Sequence, residues 1–85
     1  MLEITKILNN KNISLVDLFK CLELVKSNGD VVVIKIDGER NIDQYTVFIS
    51  FPNKDLAMIR GDSDDLKMTI LTVLKKYVHL HKNKI

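Results

Sequence analysis

Apolar residues recur at three- and four-residue spacing after Ser14, as in an amphipathic helix. These positions are Leu15, Leu18, Phe19, Leu22 and Val25. Ser14 and Asp17 have the spacing of a capping box, and Gly29 can take the left-handed conformation that closes a helix. The pattern therefore predicts a helix over about 14–28.

A second helical pattern occupies about 64–80. Its apolar positions are Leu66, Ile70, Val73, Leu74, Tyr77 and Val78. Ser63 or Asp62 is expected to cap this helix, while Asp64 and Asp65 suit its positive end. A shorter apolar run in residues 1–8 favours a short helix, which is followed by a polar turn at 9–12.

The middle of the chain alternates apolar and polar residues with the period of 2 that a strand requires. Residues 30–37 and 44–51 are predicted to form a hairpin with a loop near 37–43, in which Gly38 helps the turn. Pro52 ends the second strand because it has no N–H to donate. A short third strand, placed at the sheet edge, is predicted over 56–60, and residues 61–63 are expected to break the chain.

These elements predict a single α+β domain over 1–85, with a mobile tail at 82–85. It has two layers, in the order α-β-β-β-α, with the helices packed on one face of a three-stranded antiparallel sheet. The residues expected on the covered face are Val32, Ile34, Ile36, Tyr45, Val47, Ile49 and Phe51.

The opposite face of the sheet is the first candidate for a binding surface. Together with the charged hairpin, it supplies the residues expected to contact a protein partner or a second copy. These are Val31, Val33, Lys35, Glu39, Arg40, Thr46 and Phe48. Large exposed apolar patches mark contact sites, although scattered apolar side chains on a wet sheet face are also ordinary. The free edge of the third strand is an alternative site for strand addition.

Charge and composition argue against a membrane-spanning protein and against a disulfide-rich secreted one. The chain has 85 residues, one cysteine and a formal net charge of +2. No stretch approaches the roughly 18 uninterrupted apolar residues of a membrane span. A lone cysteine argues against a disulfide-framed secreted domain, and residues 1–10 lack the apolar stretch of a signal peptide. A cytoplasmic protein is therefore expected.

Three acids follow Gly61, namely Asp62, Asp64 and Asp65. Carboxylates could bind a hard cation, but the spacing does not match an EF-hand loop, and capping of the last helix accounts for all three. If the hairpin and third-strand turns meet at one end, Asp37, Glu39, Asp43, Asp55 and Asp62 would make that end acidic. An acidic end would attract a basic partner, such as a nuclease or a nucleic-acid-binding protein.

Cysteine and histidine offer little chemistry. Cys21 lies beside Leu22 with no local base to activate it, so it is expected to be a partly buried, inert thiol. His79 and His81 are two residues apart, and such residues do not share a helix face. They are therefore expected to be solvated residues near a helix end.

A nucleic-acid interface on the last helix is the alternative function. Its candidate phosphate contacts are Lys75, Lys76, Lys82 and Lys84. Lysines in the last turns of a helix also simply complement its dipole.

The chain carries no nucleophile–base pair, phosphate loop or metal-ligand set. We therefore expect a non-enzymatic protein-binding module that needs no metal or cofactor, with no membrane partner and no small-molecule ligand. An accessory inhibitor that occludes a partner surface, such as an immunity or anti-defence protein of a bacterium or phage, fits this class. Homodimerisation through the outer sheet face is its simplest form.

Overall fold

The computed structural model describes residues 1–82 as helices packed on an antiparallel sheet, in the order α-α-β-β-β-α. The helices are α1 (Leu2–Leu8), α2 (Leu15–Ser27) and α3 (Leu66–Lys82). The strands are β1 (Val31–Ile36), β2 (Tyr45–Ser50) and β3 (Ile59–Ser63), paired in the order β1-β2-β3. The predicted α+β class is confirmed, and the short N-terminal helix adds one element to the predicted order.

Helix α2 begins and ends where the sequence predicts, to within one residue. The Ser14 hydroxyl accepts a 3.1 Å hydrogen bond from the Asp17 N–H, and the Asp17 carboxylate accepts one from the Ser14 N–H. Gly29 follows the helix with φ of 85°. The buried face of α2 is rotated from the predicted one, because Cys21 is fully buried whereas Phe19 is 42% exposed.

The hairpin register confirms the predicted sheet faces. Val33 pairs with Phe48 on one face, while Ile34 pairs with Val47 on the other. Val47 and Ile49 are fully buried on the inner face. Ile36, predicted on that same face, is 66% exposed because it ends an edge strand outside the hydrophobic core.

The third strand was misplaced by the sequence analysis. Residues 56–60 were expected to form it, but β3 occupies Ile59–Ser63 and includes the supposed chain break. Gly61 pairs with Val47 in the middle of this strand, where a Cβ atom would lie 2.9 Å from Cγ2 of Val73. The glycine therefore serves close packing of β3 on α3 rather than a turn.

Helix α3 begins later than predicted, because Ser63 still belongs to β3. Asp65 Oδ1 accepts a 2.9 Å hydrogen bond from the Met68 N–H, so Asp65 caps the first turn. The helix continues to Lys82, which was expected to belong to a mobile tail. The rest of that tail, 83–85, lies outside the described residues.

The hydrophobic core lies between the inner sheet face and the helices. Helix α3 packs on β2 and β3, α2 packs on β1, and α1 contributes the fully buried Ile4. In the described part of the chain no element packs on the outer sheet face, where Val33 remains 37% exposed.

Candidate functional site: the outer sheet face

The strand register brings three columns of side chains onto the face opposite the helices, which we term the outer face. Its residues are Val31, Val33, Lys35, Thr46, Phe48, Ser50, Arg60 and Asp62. Val33, Phe48 and Arg60 form one row across the sheet, and Lys35, Thr46 and Asp62 form the next. The outer face thus has an aliphatic–aromatic pair at its centre and charged groups beside it.

Arg40, Thr46, Arg60 and Asp62 form a hydrogen-bonded group at one end of the outer face, which we term the ionic cluster. Asp62 accepts a 3.0 Å hydrogen bond from Nε of Arg60 and a 2.5 Å bond from the Thr46 hydroxyl, while Nη1 of Arg40 lies 3.5 Å away. These bonds, with that from Arg60 the largest cause, lower the pKa of Asp62 to about 2. The carboxylate is therefore charged throughout the neutral range.

The cluster changes two of the predicted contacts. Arg40 Nη1 also donates to the Thr46 hydroxyl at 3.3 Å, and Thr46 is buried. Thr46 therefore supports the cluster and does not present its hydroxyl to a partner. Asp62, which the sequence analysis assigned to a helix cap, belongs to the outer face because its strand was misplaced.

Hydrogen bonds within the hairpin loop between β1 and β2 fix its conformation. Arg40 donates to the Asp43 carbonyl at 3.0 Å, and the Gln44 side-chain amide donates to the Arg40 carbonyl at 2.8 Å. The Asp37 carboxylate accepts from the Glu39 N–H, which is the largest cause of a lowered Asp37 pKa. Asp43 takes φ of 53°, a conformation that non-glycine residues adopt infrequently. The loop therefore presents its exposed residues from a defined backbone.

The acidic end predicted from the sequence forms in part. Tyr45 pairs with Ser63, so the hairpin loop lies beside the end of β3, and Asp64 accepts a 3.4 Å hydrogen bond from the Gln44 N–H. Glu39, Asp43 and Asp62 belong to this end. Asp55 does not, because it lies in the β2–β3 connection at the opposite end of the strands.

The three acids after Gly61 separate into different roles. Asp62 lies on the outer face, Asp64 bonds the hairpin backbone and Asp65 caps α3. The expectation that all three cap the helix is therefore wrong for Asp62 and for Asp64, whose carboxylate accepts from the hairpin backbone instead. Within residues 1–82, no group of three histidine, cysteine or acidic side chains is placed to hold a metal ion.

Cys21 and His81 are more enclosed than expected. Burial, followed by the charge of Asp17, raises the pKa of the Cys21 thiol, which lies in the core rather than partly exposed. His81 packs against the Tyr77 ring at 4.3 Å, and its Nδ1 lies 2.9 Å from the Tyr77 carbonyl. His79 is exposed, as expected.

The lysines of α3 are exposed on the surface away from the outer face. Lys75 and Lys82 are solvent-accessible, whereas the ammonium group of Lys76 donates a 2.9 Å hydrogen bond to the Arg60 carbonyl. Lys84 lies outside the described residues. Lys75, Lys76 and Lys82 therefore do not join the outer face.

No protein-family model matches the chain, and no curated protein and no solved structure resembles it at a significant level. Among the helices described here, none is both long enough and apolar enough to cross a membrane. The geometry of the outer face is therefore the feature of the molecule that points to a function.

Proposed function

We propose that this protein is a small, non-catalytic protein-binding module that contacts its partner through the outer face. The observation that carries the proposal is the pair of Val33, which is exposed, and Phe48, which is half-buried; they lie side by side on the sheet, and no helix or strand within residues 1–82 packs over them. The ionic cluster flanks this pair. An apolar centre with a polar, solvent-accessible rim is the usual anatomy of a protein–protein interface.

Charge favours a protein partner over a nucleic acid at this surface. The outer face and hairpin loop carry three basic side chains against four acidic ones, which are Lys35, Arg40 and Arg60 against Asp37, Glu39, Asp43 and Asp62. A phosphate backbone gains affinity from an excess of basic side chains, which this surface lacks. The acidic end instead supports a partner whose contact surface is basic, and such complementarity raises the association rate.

The mode of action that we propose is occlusion. A binding surface on paired strands, extended by a hydrogen-bonded hairpin loop, loses little conformational entropy when it binds. Such a module covers the working surface of its partner, as an accessory inhibitor does. An immunity or anti-defence role in a bacterium or phage is the specific form of this proposal.

Affinity purification from the producing cell tests the proposal with two matched variants. Phe48→Asp changes the centre of the outer face, whereas Phe19→Asp changes an exposed phenylalanine on α2. We expect a specific protein to co-purify with the wild type and with Phe19→Asp, but not with Phe48→Asp. Calorimetry with the recombinant partner then measures the affinities. Equal binding by the two variants contradicts the proposal, provided that both keep the far-UV spectrum of the wild type.

Binding of nucleic acid by Lys75, Lys76, Lys82 and Lys84 has weaker support, because the Lys76 ammonium already bonds the Arg60 carbonyl. Titration of labelled single- and double-stranded oligonucleotides distinguishes the two functions. Binding that weakens steeply with salt and disappears in Lys75→Glu would favour the nucleic-acid function.

A further inference from the structure

The two edges of the sheet differ in how their outward-facing backbone groups are satisfied. On β3, the carbonyl of Arg60 points away from β2 and accepts a 2.9 Å hydrogen bond from the Lys76 ammonium. This long side chain from α3 therefore crosses the β3 edge. Covering an edge in this way is a common defence against pairing with another chain.

Within residues 1–82, no comparable side chain covers the β1 edge. The Asp37 N–H donates a 2.8 Å hydrogen bond to the Gln44 carbonyl. In an antiparallel pair this bond determines which residues of β1 direct their backbone groups towards β2 and which direct them away. Every second residue from Asp37 backwards bonds β2, so the residues between them direct their N–H and C=O groups outward. These are Val32, Ile34 and Ile36, and within residues 1–82 no side chain bonds their backbone.

An apolar groove runs beside this edge. The groove lies between α2 and β1, is open to solvent and has a volume of about 670 Å³. Its lining includes Phe19, Leu22, Val32 and Ile34. Of the eleven large hydrophobic residues that are exposed within residues 1–82, three line this groove, namely Val16, Phe19 and Val31. A fourth, Ile36, ends β1.

We propose that a second copy of this chain adds to the β1 edge, so that two sheets join into one antiparallel sheet of six strands. The two-fold axis passes midway between Ile34 and Ile34 of the second copy, which pair with each other, and Val32 pairs with Ile36 of the second copy. This register uses all three outward-facing residues of each strand. It also places the exposed Ile36 side chain against the apolar groove of the second copy.

Charge complementarity favours a second copy as the occupant. In this register Lys35 lies opposite Val33 of the second copy, so no like charges face each other across the new strand pair. The charged side chains that line the groove are also balanced, with Lys20 and Lys26 against Glu23 and Asp30. Two copies of the groove therefore carry no excess of like charge when the two-fold brings them together.

The contact is small, and we expect a weak dimer. One six-residue edge and its groove cover less than the roughly 800 Å² per partner that a stable interface buries. The dimer is therefore expected to belong to the weak, transient class. The proposal is independent of the protein-binding function, because the axis is perpendicular to the sheet and leaves both outer faces uncovered on the same side.

Sedimentation equilibrium from about 10 μM to 1 mM tests the proposal with a matched pair of variants. Ile36 and Ile42 are 66% and 70% exposed, but only Ile36 lies on β1. We expect a reversible monomer–dimer equilibrium in the wild type and in Ile42→Lys, and at least a tenfold weaker dimer in Ile36→Lys. A wild type that remains monomeric at 1 mM overturns the proposal, as does equal weakening by both variants.

Amide hydrogen exchange distinguishes edge pairing from a dimer formed through the outer face. In the monomer, the N–H groups of Val31, Val33 and Lys35 are protected by β2, whereas those of Val32, Ile34 and Ile36 exchange freely. At dimer concentrations we expect the second set to slow by at least tenfold. A dimer in which those three amides still exchange freely overturns the edge pairing and leaves the outer face as the interface.

Discussion

The Tyr77 hydroxyl donates a 2.7 Å hydrogen bond to Oδ2 of Asp30, a carboxylate whose side chain is almost completely buried. Lys54 donates to the other carboxylate oxygen at 2.9 Å, and the Asn28 amide donates to the Tyr77 hydroxyl at 3.0 Å. The network joins the end of α2, the start of β1, the β2–β3 connection and α3. It therefore fixes α2 and α3 against the sheet at the end opposite the ionic cluster.

Substitution of Tyr77 by phenylalanine tests the contribution of this network to stability. Tyr77→Phe leaves one buried carboxylate oxygen of Asp30 without its donor, and an unsatisfied buried group costs about 1–3 kcal/mol. We expect the free energy of unfolding in urea to fall by that amount. Tyr45→Phe is the matched control, because the Tyr45 hydroxyl makes no hydrogen bond in the described part of the chain, and it should change stability by less than about 0.5 kcal/mol. Equal effects of the two substitutions would show that the network does not contribute.

The same tyrosine predicts a loss of stability at alkaline pH. Burial, assisted by the hydrogen bond to Asp30, raises the pKa of Tyr77 from 10.0 to about 12. The unfolded chain therefore releases this proton before the folded protein does. Its contribution is complete below about pH 10 and is lost as the pH rises towards 12, by about 2–3 kcal/mol. Unfolding of the wild type and of Tyr77→Phe from pH 8 to 12 should show the extra loss only in the wild type; parallel curves would contradict it.

Close packing of β3 on α3 predicts that Gly61 does not tolerate a methyl group. In Gly61→Ala the new Cβ meets Cγ2 of Val73 at 2.9 Å, so strand or helix must shift. We expect a loss of about 1–3 kcal/mol in the free energy of unfolding. Gly38→Ala is the control, since a Cβ at Gly38 has no neighbour within 4 Å among the described residues. A Gly61→Ala variant as stable as the Gly38→Ala variant would contradict this packing.

The ionic cluster predicts that protonation of Asp62 lowers the stability of the protein only at very acidic pH. Its pKa is lowered to about 2 in the folded protein, chiefly by the Arg60 guanidinium. A depressed pKa means that the stabilisation is present above the ordinary aspartate pKa and is lost as the pH falls through about 2. We expect carboxyl carbon NMR to give a midpoint near 2 for the wild type and a higher midpoint in Arg60→Gln. An ordinary midpoint in the wild type would show that Arg60 and Thr46 do not hold this carboxylate.

Local signals in the sequence were sufficient for the ends of α2 and for the hairpin, whereas β3 needed information from distant residues. Ser14 and Asp17 cap a helix through neighbouring backbone, and alternation sets the faces of β1 and β2 because the pleat has a period of 2. Gly61 has no local strand preference, and its place in β3 depends on Val47 and Val73.

The candidate site divides in the same way. Val33 and Phe48 were assigned to the outer face from alternation alone, and the structure leaves both of them uncovered by any described element. The burial of Thr46 depends on Arg40 folding back over the sheet, and the partnership of Arg40 with Asp62 spans 22 residues. Residues so far apart in the chain show no spacing pattern from which their contact could be predicted.

Photo-crosslinking in the producing cell tests the central claim, which is that the outer face is a contact surface for a protein. A benzophenone amino acid is placed at position 48 in one variant and at position 68 in another, because Met68 is an exposed residue of α3 away from the outer face. The account predicts a discrete protein adduct from position 48 and none from position 68. The absence of a protein adduct at position 48, or the same adduct from both positions, would contradict it.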